Sequence, residues 1–596
     1  MNRMYADMKW LVATVITVAA AAASLLAQGD SQSARFLAET HAAMTKMMTV
    51  MHAKPTGDVD ADFAAMMIAH HVGAIEMAQA QLRAGRNEPL RRLAQEIIVT
   101  QQQEIEVMRF ALADRSHPGP SARDAARESD HGGSANHATS PTQATPVNHR
   151  DRVYAAEQFS NTISVTDPAD NRLLGVVRLG DPTPGNLSPL YRGQLLVHGL
   201  GFSPDHRTLA AVSIGSNSVT FIETATNAVK HVTYVGRSPH EAFFTPDGKE
   251  VWVTVRGESY VAVLDGTTYE ERARIAVPNG PGMQIFSPDG RYGFICSSFT
   301  SETVVVSVAD HQIVGRVRQE SPFCPNIAVT PDGRQVWFTL KDIGKVSVFD
   351  GRPPFALLTT IDTGPITNHV NFASTSRGVF AYVTVGGLNQ VQVFRTDDLS
   401  KVTTIPVGKL PHGVWPSGDG SRVYVGLENE DQLVAIDTLT QRVIASIPIG
   451  QAPQAVIYVP NAVPDGAGKE NLQPLDIAGR TTHLTLVPPG SARLTVSPTS
   501  VSLFDQGLTQ VLQASVTGLE PKRPYVLALS NMPDGKGVLE ALAAFTTNPA
   551  GAAIVNAVGP IRQIVQGESG VQRRYLVVVP GTADEHGAPV QIQVLK

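Results

Sequence analysis

The chain has 596 residues, a formal net charge of −6 and only 17% charged residues, against 42% hydrophobic ones. This length predicts several domains, and the lack of any run of lysine and arginine argues against a nucleic-acid partner. The two cysteines, Cys296 and Cys324, form no CxxC motif, so the sequence gives no support to a zinc ribbon, a thioredoxin-type centre or c-type haem attachment. The two thiols either pair or stay free.

The N-terminus has the pattern of an export signal. Arg3 and Lys9 supply positive charge, residues 11–27 are apolar, and small residues precede a polar stretch. Cleavage near Ala27–Gln28 is expected; the alternative is a retained anchor, because seventeen apolar residues just suffice to span a bilayer. We therefore expect a signal peptide over residues 1–27, a periplasmic or secreted mature protein, and no membrane span after cleavage.

Residues 33–114 are predicted to form a helical bundle rich in methionine and histidine. At 100° per residue, two successive helices each carry these residues on a single stripe. The stripes contain Met48, Met51 and His52 on one helix, and Met67, His70, His71 and Met77 on the next. A third helix carries Met108. Thioether sulfur and imidazole nitrogen together favour Cu(I), although a methionine stripe is also a common way to fill a core.

The segments DADFAAMMIAHHVGAIEMAQAQL (60–82) and LRRLAQEIIVTQQQEIEVMRFAL (90–112) resemble the family called domain of unknown function 305 (DUF305), which includes CopM-like copper-binding proteins. The resemblance implies an exported helical bundle that binds copper or silver. Carried over by position, the candidate ligands are Met67, His70, His71, Met77 and Met108, whereas Met48, Met51 and His52 rest on the stripe alone. A flexible linker is expected over residues 115–150.

Residues 151–461 contain a repeat of 42–43 residues. Its most regular feature is a turn of the Pro-Asp-Gly type, as in FTPDG at 244 and FSPDG at 286, followed by alternating runs such as EVWVTV (250–255). A period of two predicts half-buried strands, and four short strands in each repeat predict a β-propeller. The innermost strand recurs seven times, while the start of the repeat lacks one strand that its end supplies. We therefore predict seven blades, closed by pairing of the two ends.

The repeats resemble the YVTN/YncE-type propellers in segments such as NTISVTD (161–167) and NEDQLVAIDTLTQRVIASIPIGQAPQAV (429–456). This resemblance implies a fold but no particular function, because propellers host both binding proteins and enzymes. In residues 480–596, apolar and polar residues alternate in short runs that are separated by proline and glycine. This pattern predicts a β-sandwich-like domain.

Histidines recur at one position of the propeller repeat. The residues seven positions before each turn aspartate, or its equivalent, are His198, His240, Gly282, Pro325, His369, His412 and Gln454. Because innermost strands line the central channel, the four histidines are expected to form a ring on the axis. Such a ring suits copper, zinc or iron, and the alternative is that each imidazole bonds a neighbouring backbone group.

The sequence predicts an exported metal-binding protein in which the helical domain captures copper, most readily Cu(I). The propeller would serve as a platform or hold a second metal on its axis. The expected partners are the metal ion and another extracytoplasmic protein. No catalytic or cofactor-binding residues are assigned, because no general acid–base pair is recognisable. The alternatives are a propeller enzyme, either lactonase-like or a metal-dependent oxidoreductase, and a surface interaction scaffold.

Overall fold

The computed structural model divides the chain into two units, Met1–Ala138 and Thr139–Lys596. The residues it describes are 33–49, 56–85, 146–180, 195–476, 481–491, 498–505, 510–559, 573–582 and 585–595, with single positions 94, 97, 101, 105, 108 and 561. The expected signal peptide and residues 115–145 of the expected linker lie outside them. Within the described residues, no helix combines the length and apolarity needed to cross a bilayer.

The N-terminal unit contains helix α1 (33–49) and helix α2 (Val59–Ala84). The side chain of Asp58 accepts hydrogen bonds from the first backbone amides of α2 and so caps the helix. The two helices pack closely at Gly73, where an added Cβ would lie 2.9 Å from the Cβ of Met47. An ion pair of 2.7 Å between Arg83 and Glu39 links the same two helices.

The second unit is built from short strands. The first fourteen are β1 (Arg152–Glu157), β2 (Thr162–Asp167), β3 (Arg172–Arg178), β4 (Val197–Phe202), β5 (Thr208–Ser213), β6 (Ser218–Glu223), β7 (Val229–Tyr234), β8 (Pro239–Phe244), β9 (Glu250–Val255), β10 (Tyr260–Asp265), β11 (Glu271–Ala276), β12 (Pro281–Phe286), β13 (Tyr292–Ser297) and β14 (Glu302–Ser307). The next fourteen are β15 (Ile313–Arg318), β16 (Ile327–Val329), β17 (Gln335–Leu340), β18 (Lys345–Asp350), β19 (Leu357–Asp362), β20 (Thr367–Thr375), β21 (Gly378–Val385), β22 (Gln390–Arg395), β23 (Lys401–Pro406), β24 (Pro411–Pro416), β25 (Arg422–Leu427), β26 (Gln432–Asp437), β27 (Arg442–Pro448) and β28 (Pro453–Val459).

In the described part of the chain these strands form seven antiparallel four-stranded sheets, the blades of a propeller. Blade 1 has the order β28-β1-β2-β3, and blades 2 to 7 take four consecutive strands each, starting at β4, β8, β12, β16, β20 and β24. The pairing of β28 with β1 joins the end of the repeat to its beginning. The prediction of a seven-bladed propeller with this closure is confirmed.

The Pro-Asp-Gly segments form the turns between the first two strands of their blades. In the copy at 244, Gly248 has φ of +72°, which a residue with a Cβ rarely adopts. The carboxylate of Asp247 accepts hydrogen bonds from the Lys249 amide and from the Thr245 hydroxyl, at 3.1 and 2.7 Å. The repeat is therefore visible in the sequence because the same turn chemistry recurs in successive blades.

The inner strands of the blades are largely buried on both faces rather than half-buried, whereas outermost strands such as β7 and β11 are mostly exposed. In β9, Val251 and Val253 pack in one hydrophobic cluster with Val212 of blade 2, whereas Trp252 packs in another with Phe286 of blade 4. Each sheet stands between two neighbouring sheets, so both sets of alternating side chains enter a core. The period of two was the correct signal for a strand, but it did not distinguish one buried face from two.

The C-terminal region forms one eight-stranded antiparallel sheet within the described residues, with the order β33-β32-β35-β36-β29-β30-β31-β34. Its strands are β29 (Thr481–Val487), β30 (Thr499–Asp505), β31 (Gln510–Val516), β32 (Pro524–Ser530), β33 (Leu539–Thr546), β34 (Ala553–Gly559), β35 (Tyr575–Pro580) and β36 (Gln591–Gln593). One core takes side chains from both halves of the sheet, among them Leu512 and Leu527, so the sheet folds over on itself. This matches the sandwich-like domain expected from the sequence in its general layout.

The C-terminal sheet packs against one mouth of the propeller. Ile366 and Leu410 each precede an innermost strand, have positive φ of 57° and 55°, and contact Ala552 of the sheet. Phe159 stacks on Phe504 with ring centroids 4.4 Å apart. These contacts place the sheet over the end of the axial channel that the candidate histidines face.

Candidate metal centre

The four candidate histidines of the propeller lie together on its axis. His198 is in β4, His240 in β8, His369 in β20 and His412 in β24, and all four are at most 7% exposed. The ring centroids of His198 and His240 are 4.3 Å apart, and those of His369 and His412 are 4.6 Å apart. His198 and His412 lie 6.4 Å apart, so the two pairs form one cluster.

Hydrogen bonds to the backbone hold these strands in place. The hydroxyl of Thr384 accepts from the His369 amide at 2.8 Å and donates to the His412 carbonyl oxygen at 2.7 Å. In blade 3, the Thr254 hydroxyl donates to the carbonyl oxygen of Gly282 at 3.1 Å. A threonine near the end of the second strand thus ties the innermost strands of adjacent blades together. The strands that carry His369 and His412 are held together in this way.

Several imidazole nitrogens of the cluster have no hydrogen-bond partner. Among the described residues these buried atoms are Nδ1 of His198, Nδ1 of His240 and Nε2 of His369. A buried polar atom without a partner is costly, and it is a common feature of a site whose ligand is not present. His412 differs, because its Nδ1 lies 2.8 Å from the carbonyl oxygen of Gln454.

The four imidazoles are neutral at physiological pH. Burial, with further contributions from Arg256, His369 and Lys341, lowers the pKa of His198 to about 3. Burial likewise holds the pKa values of His240, His369 and His412 well below 6.5. A neutral imidazole keeps a lone pair on one nitrogen, and this is the form that binds metal.

A buried carboxyl group, Glu241, stands beside the histidines. Ligand atoms of His198, His240 and Glu241 all lie within 4.8 Å of one another. Burial raises the pKa of Glu241 to about 8. Gly199 makes room for it, since a Cβ there would lie 2.6 Å from the Glu241 carboxylate and 2.2 Å from the His240 carbonyl oxygen. Sequence analysis missed Glu241, although it is the sole carboxylate in the seven innermost strands.

A chamber of about 540 Å³ separates the histidine cluster from the C-terminal sheet. Side chains from both the propeller and the sheet line it. They include His198, His240, His412, Arg256, Phe323, Lys341, Asp342, Glu428, Gln513 and Asn556. On the other side of the cluster, His369 and Glu241 face a mainly apolar channel of about 140 Å³ that also contains Met283. The cluster therefore divides the axial channel into a polar end and an apolar end.

Arg256, Lys341 and Glu428 form a second set of equivalent positions that sequence analysis missed. Each is the residue immediately after the second strand of its blade, namely β9, β17 and β25. The signal was present, because charged residues directly follow the runs EVWVTV, QVWFTL and RVYVGL. These positions were overlooked because only the innermost strands were aligned in search of ligands.

The methionine and histidine candidates of the N-terminal unit differ in their exposure. His71 is buried, His70 is exposed, and their ring centroids lie 5.6 Å apart. Met67 and Met77 are half-buried and Met48 is 45% exposed. Met108 is helical and half-buried. Met51 and His52 lie outside the described residues.

Comparison with known families identifies the N-terminal segment. Residues 8–112 match the family described as "Domain of unknown function (DUF305)". The chain carries a DUF305 domain. This agrees with the resemblance read from the MMIAHHVGAIEMA segment (66–78), and the family description itself names no ligand.

Two curated relatives each match part of the chain. Protein NirF of Pseudomonas aeruginosa is 25% identical over 197 residues, which is 30% of this chain and 48% of that protein. Protein NirF of Stutzerimonas stutzeri is 24% identical over 197 residues, 30% of this chain and 49% of that protein. The chain thus spans about half the length of these relatives.

Two solved structures align with about half of the chain. A chain of Kuenenia stuttgartiensis hydrazine synthase has a TM-score of 0.40 and 19% identity, covering 48% of this chain and 92% of that one. A functionally unknown protein from Desulfotomaculum acetoxidans has a TM-score of 0.45 and 15% identity, covering 51% of this chain and 98% of that one.

Proposed function

We propose that this protein is an exported metal-binding propeller that holds copper at the axial histidines. The observation that carries the proposal is the group of buried imidazole nitrogens without partners, on His198, His240 and His369. Four neutral imidazoles and one carboxyl group make a donor set that suits copper, zinc or iron. A bound metal would satisfy the lone pairs that the folded protein otherwise buries at a cost.

The size of the cluster fits a metal after a small contraction. Metal–nitrogen bonds of about 2.0–2.1 Å place ligand atoms roughly 3.3 Å apart in a tetrahedral site. The ligand atoms of His198, His240 and Glu241 lie within 4.8 Å of one another, so metal binding would require them to approach by about 1.5 Å. The hydrogen bond from His412 to Gln454 already orients one ring as a backbone carbonyl does in metal sites.

Copper is proposed because of the DUF305 domain. Its helix α2 carries Met67, His70, His71 and Met77 within eleven residues, and thioether with imidazole favours Cu(I). In the proposal this domain captures Cu(I), and the propeller holds copper at a second site. A periplasmic or secreted location is supported by the leader-like residues 1–27 and by the disulfide between Cys296 and Cys324, since disulfides persist in oxidising compartments.

The test is the metal content of the full chain after anaerobic loading with Cu(I) and removal of unbound metal. His198→Ala with His240→Ala should remove one part of the bound copper, and Met67→Ala with His71→Ala should remove another. His231→Ala is the matched control, because His231 is an exposed histidine of β7 in the same propeller. Unchanged copper in the His198/His240 variant would overturn the axial site, and no copper in the wild type would overturn the proposal altogether.

A further inference from the structure

Two cations in the wall of the chamber, Arg256 and Lys341, form no direct ion pair among the described residues. Among the described residues, the side chains of Arg256 and Lys341 make no ion pair and no hydrogen bond, and Nε of Arg256 is buried. The Arg256 guanidinium stacks between Phe299 and Phe323, with its carbon 5.6 and 5.4 Å from the ring centroids. Stacking holds the guanidinium in position but satisfies none of its donors.

The carboxylates that line the same chamber are engaged elsewhere. Asp342 accepts a hydrogen bond from the Ser321 hydroxyl. Glu428 is buried against the side chains of Gln454 and Gln513, and burial raises its pKa. Lys341 and Glu428 attract each other, but the two side chains form no ion pair, and burial lowers the pKa of Lys341. The donors of Arg256 and Lys341 therefore face the chamber without hydrogen-bond partners.

We propose that the chamber binds a small oxyanion, either a carboxylate or an inorganic oxyanion, between Arg256 and Lys341. The planar guanidinium fork matches two oxygens of such a group, and the ammonium supplies a point charge. Amide side chains in the wall, such as Gln513 and Asn556, can donate further hydrogen bonds. A volume of about 540 Å³ accommodates a small organic acid as well as a phosphate ion.

The shape of the interface indicates where such a ligand enters. The C-terminal sheet contacts Phe159 of blade 1, Ile366 of blade 6 and Leu410 near blade 7. Arg256 and Lys341 belong to blades 3 and 5, on the other side of the mouth. The half-exposed Phe299 of blade 4 packs on Arg256 there. The oxyanion would reach Arg256 from this side, between the sheet and blades 3 to 5.

This ligand would also affect the histidine cluster, a consequence that rests on the proposed function. Arg256 and Lys341 disfavour positive charge on His198, and the same field opposes a metal cation beside it. An oxyanion between the two cations offsets that field and lies where it can approach the metal. Metal and oxyanion should therefore strengthen each other's binding by the same factor, as thermodynamic linkage requires.

The experiment titrates metal-free full-length protein with phosphate and with acetate at constant ionic strength, using chloride as the reference anion. Calorimetry and thermal unfolding report binding. Arg256→Gln and Lys341→Met should each weaken it by about tenfold or more, since each removes a charge-assisted contact. Arg291→Gln is the matched control, because Arg291 is an exposed arginine paired with Asp289 at 2.6 Å.

The outcomes separate the two proposals. Binding of phosphate alone would identify an inorganic oxyanion site, and binding of acetate alone a carboxylate site. Equal binding by wild type and both variants, or no binding of either anion, would overturn the inference. If Arg256→Gln does not fold, Arg256→Lys takes its place in the test. This variant should bind the anion with intermediate affinity, because lysine keeps the positive charge but lacks the planar pair of donors of the guanidinium group. Oxyanion binding without copper binding in any condition would refute only the proposed function.

Discussion

The Nδ1 atom of His412 lies 2.8 Å from the carbonyl oxygen of Gln454. A carbonyl oxygen only accepts, so Nδ1 carries the proton, and burial keeps the ring neutral by holding its pKa well below 6.5. The remaining nitrogen, Nε2, therefore has a free lone pair. Since the innermost strands of blades 7 and 1 are joined through this contact, His412 has a fixed orientation before any ligand binds.

His412→Ala should lower copper affinity at the axial site by about tenfold to a hundredfold, the usual cost of disturbing one ligand or its support. The substitution leaves the β24 backbone and its hydrogen bond from Thr384 in place, so the propeller should stay folded. Competition with a copper chelator, compared between wild type and His231→Ala, measures the change. Equal affinity in all three proteins would mean that His412 does not contact the metal.

Gly199→Ala should damage the same site without removing any ligand. An alanine Cβ would lie 2.2 Å from the His240 carbonyl oxygen and 2.6 Å from the Glu241 carboxylate, both shorter than a normal contact. We expect a loss of about 1–3 kcal/mol in the free energy of unfolding, as overpacking usually costs, together with weaker copper binding. The urea midpoint and the chelator competition report the two effects.

Gly418→Ala is the control for Gly199→Ala. Its added Cβ would meet Pro460 at 3.6 Å, an ordinary van der Waals distance, in the turn of blade 7. We expect it to change neither stability nor copper affinity appreciably. If Gly199→Ala behaved like Gly418→Ala, the close approach of Glu241 to β4 would not matter for the site.

The propeller was predictable from the sequence because its turns and strands repeat. The turn at Asp247 and the alternation of EVWVTV recur with the same spacing, so equivalent residues could be aligned without a structure. That alignment also placed His198 and His240 on one axis. It did so because a propeller converts equal spacing along the chain into adjacency around a ring.

The rest of the site was not predictable for physical reasons. Arg256 and Lys341 reach the chamber from loops, and the C-terminal sheet supplies part of its wall only in the folded protein. In the DUF305 domain, helical periodicity predicted a stripe of methionine and histidine residues on each helix. It did not predict which of these side chains a neighbouring helix would bury. The contact at Gly73 with Met47 shows that small residues decide how α2 packs on α1, and His70 is left exposed.

Glu157 should make the stability of the protein depend on pH. It is fully buried, and burial raises its pKa from 4.5 to about 7, although the amide of Ser164 and the hydroxyl of Thr162 donate to it. The folded chain therefore holds a proton that the unfolded chain loses above pH 4.5. The contribution of this protonation to the free energy of unfolding is fully present below pH 4.5 and is lost as the pH rises to about 7. Above that pH the folded protein holds Glu157 as a buried charge.

Glu157→Gln should consequently stabilise the protein at pH 8 by up to about 3 kcal/mol and change little at pH 5. The glutamine keeps the shape and an acceptor for the Ser164 amide but carries no charge. Urea unfolding of both proteins at pH 5, 6.5 and 8 gives the comparison, with Glu585→Gln as an exposed control. A constant difference between wild type and Glu157→Gln at all three pH values would contradict the assigned protonation.

The disulfide between Cys296 and Cys324 should stabilise the propeller mainly through the unfolded chain. Cys296 is in β13 of blade 4 and Cys324 precedes β16 of blade 5, so the bond joins adjacent blades and closes a loop of 28 residues. Both cysteines are fully buried. A loop of this size is expected to contribute about 3–4 kcal/mol, because the cross-link restricts the unfolded ensemble.

Replacing both cysteines by alanine should lower the urea midpoint by the corresponding amount while leaving copper and oxyanion binding close to wild type. A reductant should lower the midpoint of the wild type and have no effect on the double variant, since the chain has no other cysteine. Because both sulfurs are buried, a thiol reagent should label the urea-unfolded protein only after reduction. Labelling of the unfolded, unreduced protein, with no loss of stability in the double variant, would show that the two sulfurs are not joined.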